Sequence, residues 1–371
     1  MSTFAELSLL PSLVEGLAAQ GLTTPTEIQR KTLPALLMGE SVLGVAETGS
    51  GKTLAYVLPL LHQLKQLETY GEAVSEAGRP RGIVLVPGRE LGEQVAGVFK
   101  SLTHQTRLRV RLALGGTAKR VSRKAVAAPH EILVASPGRL LQLVDSGELR
   151  LDDVRHVVFD EADQMVDPGF LPVAGQILGA CSEGAQLLFF SATLPLVLQE
   201  VLSELLPVPV RRVRTGGSGR LVAGLTVDDR AVDHGDRRTL LQAVLAEAPE
   251  AGTILFANTR EQCDRLARWL DGYGVAYVLY RGEMDRIERR ANLKAFRAGE
   301  VHALITTDLG GRGLDIARVE RVINVHLPRE VANYLHRVGR TARAGRTGTV
   351  INLVTERDAP LMEKVEALRP G

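Results

Sequence analysis

The sequence predicts two α/β domains, each built on a mostly parallel β-sheet that is flanked by helices. First, the 371 residues exceed what one ordinary hydrophobic core holds, which favours two domains. Second, short apolar runs rich in β-branched residues alternate with longer segments of helical periodicity. Third, these runs are continuously apolar, which is typical of parallel strands buried on both faces. Ligands of such domains bind at the carboxyl ends of the strands.

The predicted strands fall into two series that are separated by a glycine- and serine-rich segment. The first series is 41–46, 82–87, 131–136, 156–159 and 187–193, and the second is 253–259, 276–280, 302–308, 321–327 and 349–354. The segment "TGGSG" at residues 215–219 has the composition of a short flexible linker. We therefore expect a first domain at residues 1–214 and a second at residues 220–371.

The composition argues against membrane and secreted classes. No apolar stretch is long enough to cross a bilayer, and the N-terminal segment lacks the basic residues that open a secretory signal. The two cysteines, Cys181 and Cys263, are too few for a disulfide framework or a metal site. We expect a monomer in a reducing cytoplasm, without membrane contact.

Positive charge is concentrated in one segment of the chain. The net charge of +2 does not by itself indicate a nucleic-acid partner. However, the run "RLRVRLALGGTAKRVSRK" at residues 107–124 holds seven basic residues and no acidic one. Arginine binds phosphate through two parallel hydrogen bonds, so the run is suited to a polyanion. A solvated basic helix face is the other interpretation of this segment.

A phosphate-binding loop follows the first predicted strand. The segment "AETGSGKT" precedes an apolar periodic stretch, as a P-loop does before its helix. Its glycines let backbone N–H groups turn toward phosphates, Lys52 supplies a cation, and the Thr53 hydroxyl can ligate magnesium. The predicted nucleotide contacts of this loop are Ala46, Glu47, Thr48, Gly49, Ser50, Gly51, Lys52 and Thr53.

A second strand, "HVVF", ends in carboxylates that would complete this site. We predict that Asp160 holds magnesium together with Thr53, and that Glu161 is the general base that activates the attacking water. An acidic strand end alone is usually solvated surface. The P-loop in the same chain is what favours the catalytic interpretation.

The motifs and their order resemble the DEAD-box RNA helicases of superfamily 2. The family name is spelled by Asp160, Glu161, Ala162 and Asp163. The resemblance implies two RecA-like domains and an RNA-stimulated ATPase that unwinds short duplexes locally, with ATP and Mg²⁺ as cofactors. Ribosome assembly and RNA turnover are the kinds of RNA remodelling that it suggests.

The resemblance also assigns nucleotide contacts outside the P-loop. The segment "GLTTPTEIQ" at residues 21–29 matches the Q motif of the family. It implies that Gln29 reads the adenine edge, that Phe4 stacks on the base and that Thr24 joins the pocket. In the second domain, "TTDLGGRGLD" implies that Gly313 lines the nucleotide pocket and that Asp315 binds the ribose.

Two further motifs resemble the coupling and arginine-finger elements of the family. The triplet "SAT" implies that Ser191 and Thr193, together with Asp163 and His336, link hydrolysis to unwinding. The segment "HRVGRTAR" at residues 336–343 implies that two arginines reach the γ-phosphate. These catalytic arginines are Arg340 and Arg343.

The RNA-binding motifs of the family are represented in both predicted domains. The residues that they assign to RNA are Pro87, Arg89, Gly115, Gly116, Ser136, Arg139, Arg260, Gly282, Arg289 and Thr307. Such contacts to the sugar–phosphate backbone ignore base identity, so RNA binding should tolerate any sequence and weaken with salt. Because residues 107–124 enclose the double glycine, this context favours RNA contact for the basic run.

The sequence departs from the family pattern at several positions. These are Gly88, Gly310, Gly311, Arg281, Arg286 and His326. They bear on the RNA grip and on domain coupling rather than on hydrolysis, so we predict ATPase activity and leave the strength of unwinding open. An ATP-gated RNA clamp or assembly scaffold is one alternative, and a DNA helicase of the same superfamily is another.

Overall fold

A computed structural model describes most of the chain. The described residues are 3–165, 170–195, 198–200, 202, 210–216, 224–248, 250–282, 284–308, 319–342 and 346–369. Five residues discussed above lie outside them: Gly310, Gly311, Gly313, Asp315 and Arg343. The chain divides into two compact units, Met1–Ser218 and Gly219–Gly371. Residues 217–219 of the predicted linker are also outside the described part, so the linker stays a prediction.

The first unit is an α/β domain with a parallel sheet. Its strands are β1 (Val42–Val45), β2 (Gly82–Leu85), β3 (Val110–Ala113), β4 (Ile132–Ala135), β5 (His156–Asp160), β6 (Gln186–Ser191) and β7 (Arg211–Arg214). In the described residues they form one sheet in the order β3-β4-β2-β5-β6-β1-β7. Every neighbouring pair is parallel. The α/β class that the apolar runs predict is confirmed.

Helices cover both faces of this sheet. They are α1 (Pro11–Ala18), α2 (Glu27–Leu37), α3 (Lys52–Thr69), α4 (Arg89–Thr106), α5 (Lys119–Val126), α6 (Pro137–Asp145) and α7 (Phe170–Ala180), with short 3₁₀ helices at Phe4–Leu7 and Ala162–Gln164. Successive strand residues point to opposite faces, so Val42 joins the apolar cluster under α1–α4 while Leu43 joins the cluster under α6 and α7. Burial on both faces explains why the strands have no polar alternation.

The second unit repeats the architecture. Its strands are β8 (Leu225–Ala231), β9 (Thr253–Ala257), β10 (Tyr277–Tyr280), β11 (Ala303–Thr307), β12 (Arg321–Asn324) and β13 (Gly348–Val354). They are parallel, in the order β10-β11-β9-β12-β13-β8. The helices are α8 (Arg237–Glu247), α9 (Arg260–Tyr273), α10 (Arg286–Ala298), α11 (Val331–Val338) and α12 (Ala359–Glu366), with 3₁₀ helices at Asp233–Gly235 and Glu356–Asp358.

Three strands were absent from the sequence prediction. Strands β3 and β7 are the two edges of the first sheet, and β8 is an edge of the second. An edge strand is less enclosed than a central one, so charged side chains are tolerated there and the apolar run is lost. Strand β3 lies inside the basic run, so only the last part of that run is helical. Within the described residues, no helix combines the length and the apolar character needed to span a membrane.

Candidate functional site

The order of strands in the first sheet determines which motifs become neighbours. The carboxyl ends of parallel strands share one edge, which we call the carboxyl edge of the first sheet. Along it lie, in order, the loops that follow β3 (Gly115 and Gly116), β4 (Ser136), β2 (Pro87), β5 (the DEAD motif), β6 (the SAT motif) and β1 (the phosphate loop). We call the loops after β3, β4 and β2 the RNA-type loops, because they carry residues assigned to RNA. Strand β5 therefore lies between the strands that precede these loops and strand β1, which precedes the phosphate loop.

The phosphate loop is closed around its own lysine. Gly49 and Gly51 adopt φ angles of 82° and 91°, a left-handed conformation that favours glycine. Lys52 is the first residue of α3 and is buried. Its Nζ donates to the carbonyl oxygens of Ala46 at 2.6 Å and Glu47 at 2.8 Å. The loop thus holds a cation and the amino end of a helix at one point, which suits a phosphate group.

The Q motif is attached to this loop. Gln29 is 2% exposed, and its Oε1 accepts a hydrogen bond from the Thr26 backbone N–H at 2.9 Å. Its Nε2 donates to the carbonyl oxygen of Gly51 at 2.9 Å. Both ends of the amide therefore bind protein, while Thr24 is exposed and Phe4 is buried in the apolar cluster of α1–α4. The adenine contacts of these three residues stay predictions.

Asp160 is held at the end of β5 by a partner that the sequence did not reveal. Its carboxylate accepts hydrogen bonds from Tyr56 Oη at 2.7 Å and from the Glu161 backbone N–H at 3.0 Å. Burial, and then the Glu161 charge, raise the pKa of Asp160 to about 6. Tyr56 lies one helical turn after Lys52, so both side chains lie on the same side of α3. That spacing is the one signal by which Tyr56 could have been found.

Glu161 has a strained backbone and a side chain that is incompletely hydrogen-bonded. It adopts φ 54° and ψ 48°, a left-handed conformation that is uncommon for a residue other than glycine. The residue is buried, and its Oε2 has no hydrogen-bond partner among the described residues. A buried carboxylate oxygen without a partner is costly in free energy. Its position beside Asp160 suits a bound water molecule or a cation.

The structure brings together three of the residues that resemble the coupling motif. Thr193 donates to Asp163 Oδ2 through its backbone N–H at 2.9 Å and its hydroxyl at 2.6 Å. The Asp163 backbone N–H donates to Ser191 Oγ at 3.2 Å. The end of β5 is thereby connected to the end of β6. Asp163 is engaged by the SAT segment, in contrast to Asp160, which faces Tyr56.

The RNA-type loops of the first unit are joined by hydrogen bonds. The Gly115 backbone N–H donates to Ser136 Oγ at 2.9 Å, and Arg139 Nη2 donates to the Thr117 carbonyl oxygen at 2.7 Å. Gly116 adopts a φ of 71°, which keeps this turn open to a close backbone approach. Pro87 and Arg89 follow the adjacent strand β2, and the Arg89 guanidinium pairs with Glu93 one turn along α4 at 2.8 Å.

The second unit places its predicted RNA residues after three adjacent strands. Gly282 follows β10, Thr307 ends β11, and Arg260 begins α9 after β9. Arg289 lies over the Tyr280 ring at 5.5 Å and donates to the Gly282 carbonyl oxygen at 3.4 Å. These residues therefore share one edge of the second sheet.

Arg337 connects three loops of that edge, a role that sequence reasoning missed. It is 1% exposed and binds both oxygens of Asp308, at 2.5 and 2.7 Å. It also donates to Asn258 Oδ1 at 2.7 Å and to the His326 carbonyl oxygen at 2.6 Å. Its partners follow β11, β9 and β12, so one guanidinium fixes the ends of three strands. The spacing of "HRVGR" alone does not distinguish this buried arginine from Arg340.

Two comparisons with protein families cover most of the chain. The family model described as "DEAD/DEAH box helicase" matches residues 26–201, and the one described as "Helicase conserved C-terminal domain" matches residues 236–345. The ATP-dependent RNA helicase SrmB of Escherichia coli is 38% identical over 367 residues, which covers 98% of this chain and 81% of the relative. The chain belongs to the DEAD-box family of ATP-dependent RNA helicases.

Other DEAD-box proteins agree in sequence and fold. The ATP-dependent rRNA helicase RRP3 of Coccidioides immitis is 32% identical over 366 residues, covering 98% of this chain and 75% of the relative. The structure of S. cerevisiae Dbp5 bound to RNA and ADP BeF3 superposes with a TM-score of 0.86 at 26% identity, covering 99% of this chain and 93% of Dbp5. Use of ATP and binding of RNA, which the motifs predict, are confirmed by these relatives.

The second unit of this DEAD-box chain buries two further motif residues. His336 and Arg340 are 7% and 4% exposed, and Arg340 Nε donates to the His336 carbonyl oxygen at 3.0 Å. His326, one of the departures from the family pattern, is partly buried. Burial, followed by the charges of nearby arginines, lowers the pKa of His326 to about 4, so this histidine is neutral at physiological pH.

Proposed function

We propose that this chain unwinds short RNA duplexes locally, using magnesium-dependent ATP hydrolysis and contacts that do not read the base sequence. The observation that carries the proposal is the strand order of the first sheet. Strand β5, with Asp160 and Glu161 at its end, lies between the loops assigned to RNA and the loop assigned to phosphate. A structural change at the phosphate loop during ATP hydrolysis could therefore be transmitted to the RNA loops through the buried strand β5.

The oxygen-rich end of β5 fits a magnesium ion. Magnesium prefers oxygen ligands and keeps several waters when it binds beside phosphates. The Asp160 carboxylate and the Thr53 hydroxyl are ligands of this type, and the buried Glu161 carboxylate lies beside Asp160, which supports the fit. Bound magnesium would neutralise charge on the phosphate oxygens. Asp160 and Thr53 would hold the ion, and Lys52 would bind the phosphates.

Glu161 acts as the general base in this proposal. A base must accept the proton of the attacking water, and a buried oxygen without a hydrogen-bond partner is available for it. The strained backbone of Glu161 supports this assignment, because such strain is typical of active sites. Asp163, bonded to Thr193 and Ser191, would instead transmit the state of the phosphate site along β6.

The second unit carries further residues that the family resemblance assigns to the nucleotide. By resemblance to the family, we assign Arg340 and Arg343 to the γ-phosphate, Asp315 to the ribose, Gly313 to the pocket wall and His336 to coupling. Arginines in such positions stabilise charge that develops during phosphoryl transfer. In the first unit, Gln29, Phe4 and Thr24 remain the proposed adenine contacts.

The proposed RNA contacts are the two sets of edge residues. They are Pro87, Arg89, Gly115, Gly116, Ser136 and Arg139 in the first unit, and Arg260, Gly282, Arg289 and Thr307 in the second. Glycine backbones and guanidinium groups favour sugar and phosphate contacts. Structured RNA such as ribosomal RNA is the proposed substrate class, supported by the name of the relative RRP3. The two thiols, Cys181 and Cys263, form no disulfide, which supports the proposed cytoplasmic location. That the protein is a monomer is part of the proposal.

The proposal is tested by measuring ATPase activity and strand release in parallel. We expect RNA of any sequence to stimulate ATP hydrolysis, and a short RNA duplex with a single-stranded extension to be separated only with ATP and magnesium. DNA of the same sequence should stimulate ATP hydrolysis only weakly. Hydrolysis without strand release would contradict unwinding and favour a clamp, and an absence of RNA stimulation would overturn the proposal altogether.

A further inference from the structure

Helix α5 presents an unusual concentration of cations. Lys119, Arg120, Arg123 and Lys124 are all exposed, and we call them the α5 basic face. At 3.6 residues per turn these four side chains occupy a sector about 140° wide, separate from the buried Ser122 and Val126. The helix is therefore anchored by a narrow buried stripe and shows a continuous basic surface.

Most of this charge is uncompensated. Arg123 pairs with Glu148 at 2.5 Å. Among the described residues, Lys119, Arg120 and Lys124 have no ion pair, although the chain carries as many as 43 acidic residues. Elsewhere in the same unit the partly buried Arg79 is neutralised by Asp152 at 3.0 Å. Three of the four cations of the basic face have no such partner among the described residues.

The arrangement opposes helix formation in three ways. Lys119 with Arg123, and Arg120 with Lys124, are like charges one turn apart, which destabilises a helix. Two of these cations lie in the first turn, where the helix dipole disfavours positive charge. Ala118 provides no side-chain cap for the exposed N–H groups. A helix that departs at once from the usual preferences for charge spacing, dipole and capping is typical of a functional site. An external anion would relieve all three.

The basic face is continuous with the RNA loops of the first unit. Helix α5 follows the double-glycine turn directly, and Arg139 binds the Thr117 carbonyl oxygen just before the helix. Lys119, Arg123 and Arg139 border one cavity of about 250 Å³, together with the carboxylates of Asp145 and Glu148. Strand β3, which precedes the turn, is the edge of the sheet. The face therefore extends the row of RNA loops past its last strand.

We propose that the α5 basic face binds phosphates of the RNA segment that runs beyond the loops after β3 and β4. This inference rests on the proposed function, because it lengthens the same RNA site. Charge complementarity favours a polyanion, and continuity with Arg139 favours RNA as that polyanion. The structure also divides the basic run at residues 107–124. Arg107 lies before the amino end of β3, away from the carboxyl edge of the sheet, so it is outside the extended site.

The test compares two double variants that change charge equally. Arg120→Glu with Lys124→Glu reverses the charge of two of the four cations of the basic face, while Lys100→Glu with Arg107→Glu alters exposed cations in the second half of α4 and at its end. Half-saturating RNA concentrations are measured from RNA-stimulated ATPase, with single-stranded RNAs of increasing length and at several salt concentrations. Both variants keep every residue proposed for ATP.

For the α5 variant we expect about a tenfold higher half-saturating concentration with long RNA, and a slope of log affinity against log salt that is smaller by about 1.4, the value for two lost single-strand phosphate contacts. The shortest stimulating RNA should bind both variants equally. Values equal to those of the Lys100/Arg107 control at every length would overturn this inference alone. A wild-type protein that RNA does not stimulate would overturn the proposed function as well.

Misfolding is controlled within the design. Arg120→Glu places an acid in the first helical turn, which the helix dipole favours, while Lys124→Glu places one in the last turn, which it disfavours. The two effects oppose each other, so little change is expected in the thermal midpoint. If it does fall, the neutral variant Arg120→Gln with Lys124→Gln is measured instead. That variant should still raise the half-saturating concentration of long RNA, and unchanged binding by a folded neutral variant would overturn the inference.

Discussion

At the scale of single residues, the carboxylates at the end of β5 are distinguished by their partners. Asp160 accepts hydrogen bonds from Tyr56 and a backbone N–H, and Asp163 accepts them from Thr193. Glu161 Oε2 has no hydrogen-bond partner among the described residues. All three side chains are carboxylic acids of similar intrinsic acidity, so only their surroundings give them different chemical roles.

Replacement of Glu161 by Gln should abolish turnover while preserving binding. The amide keeps the size of the side chain but cannot accept a proton, so we expect the ATPase rate to fall by about 10²–10⁴-fold. ATP and RNA should still bind, which fluorescence titration would show. Glu183→Gln, on an exposed loop, is the matched control. Undiminished hydrolysis in Glu161→Gln would refute its role as base.

Replacement of Gly51 by Ala should uncouple the Q motif from the phosphate loop. A Cβ at this position would lie 2.5 Å from Gln29 Nε2, and the φ of 91° disfavours any side chain. We expect a loss of about 1–3 kcal/mol in the free energy of unfolding and weaker ATP binding. Gly21→Ala is the control, because its φ is 74° but nothing lies within 4 Å of the added Cβ. Equal effects of both variants would show that the contact with Gln29 does not matter.

At the scale of elements, β5 begins and ends with a buried titratable group. Burial lowers the pKa of His156 to about 4, although its Nδ1 lies 3.0 Å from Gln186 Oε1. Burial raises the pKa of Asp160 to about 6 at the other end. Both shifts favour the neutral form. The strand thus contributes to a pH dependence of stability that its apolar sequence conceals.

Acid should destabilise the first unit through His156. The unfolded histidine takes up a proton near pH 6.5 and the folded one only near pH 4, so its contribution is complete above pH 6.5 and is lost as the pH falls between these values. The shift corresponds to at most about 3 kcal/mol. Asp160 acts in the opposite sense, because its pKa is 3.8 when unfolded and about 6 when folded, so stability is lost as the pH rises between these values. Denaturant unfolding at pH 7 and pH 4.5 should give a smaller difference for His156→Asn than for wild type or for the exposed His104→Asn. An identical difference in all three proteins would contradict the assignment.

The central strands of both sheets were predictable, whereas three of the four edge strands were not; the fourth, β10, has an apolar run of its own. The apolar runs located β1, β2, β4, β5 and β6, because central strands of a parallel sheet need apolar residues on both faces. The edge strands β3, β7 and β8 carry arginine and aspartate and give no such run. Their existence follows from pairing with a neighbour that is distant in sequence, as between β1 and β7.

At the scale of the whole molecule, the proposed catalytic groups come from both units. The phosphate loop is in the first unit, and Arg340 is in the second. Arg340→Gln should therefore reduce RNA-stimulated hydrolysis by about 10³-fold or more with little loss of ATP affinity, because an arginine finger acts on the transition state. Arg268→Gln, an exposed residue of α9, is the control. Single-turnover kinetics measure the effect, and a wild-type rate in Arg340→Gln would exclude this residue from hydrolysis.

The sequence alone determined the chemistry of this protein and the central strands that carry it. The P-loop, the acidic strand end and the order of motifs are local patterns, since each depends on residues adjacent in the chain. Tertiary structure decided what each acid and arginine contacts. Tyr56 reaches Asp160 across 104 positions, Gln29 reaches Gly51 across 22, and Arg337 joins the ends of three strands. Such contacts depend on which strands are neighbours in a sheet, and a local pattern does not specify that order.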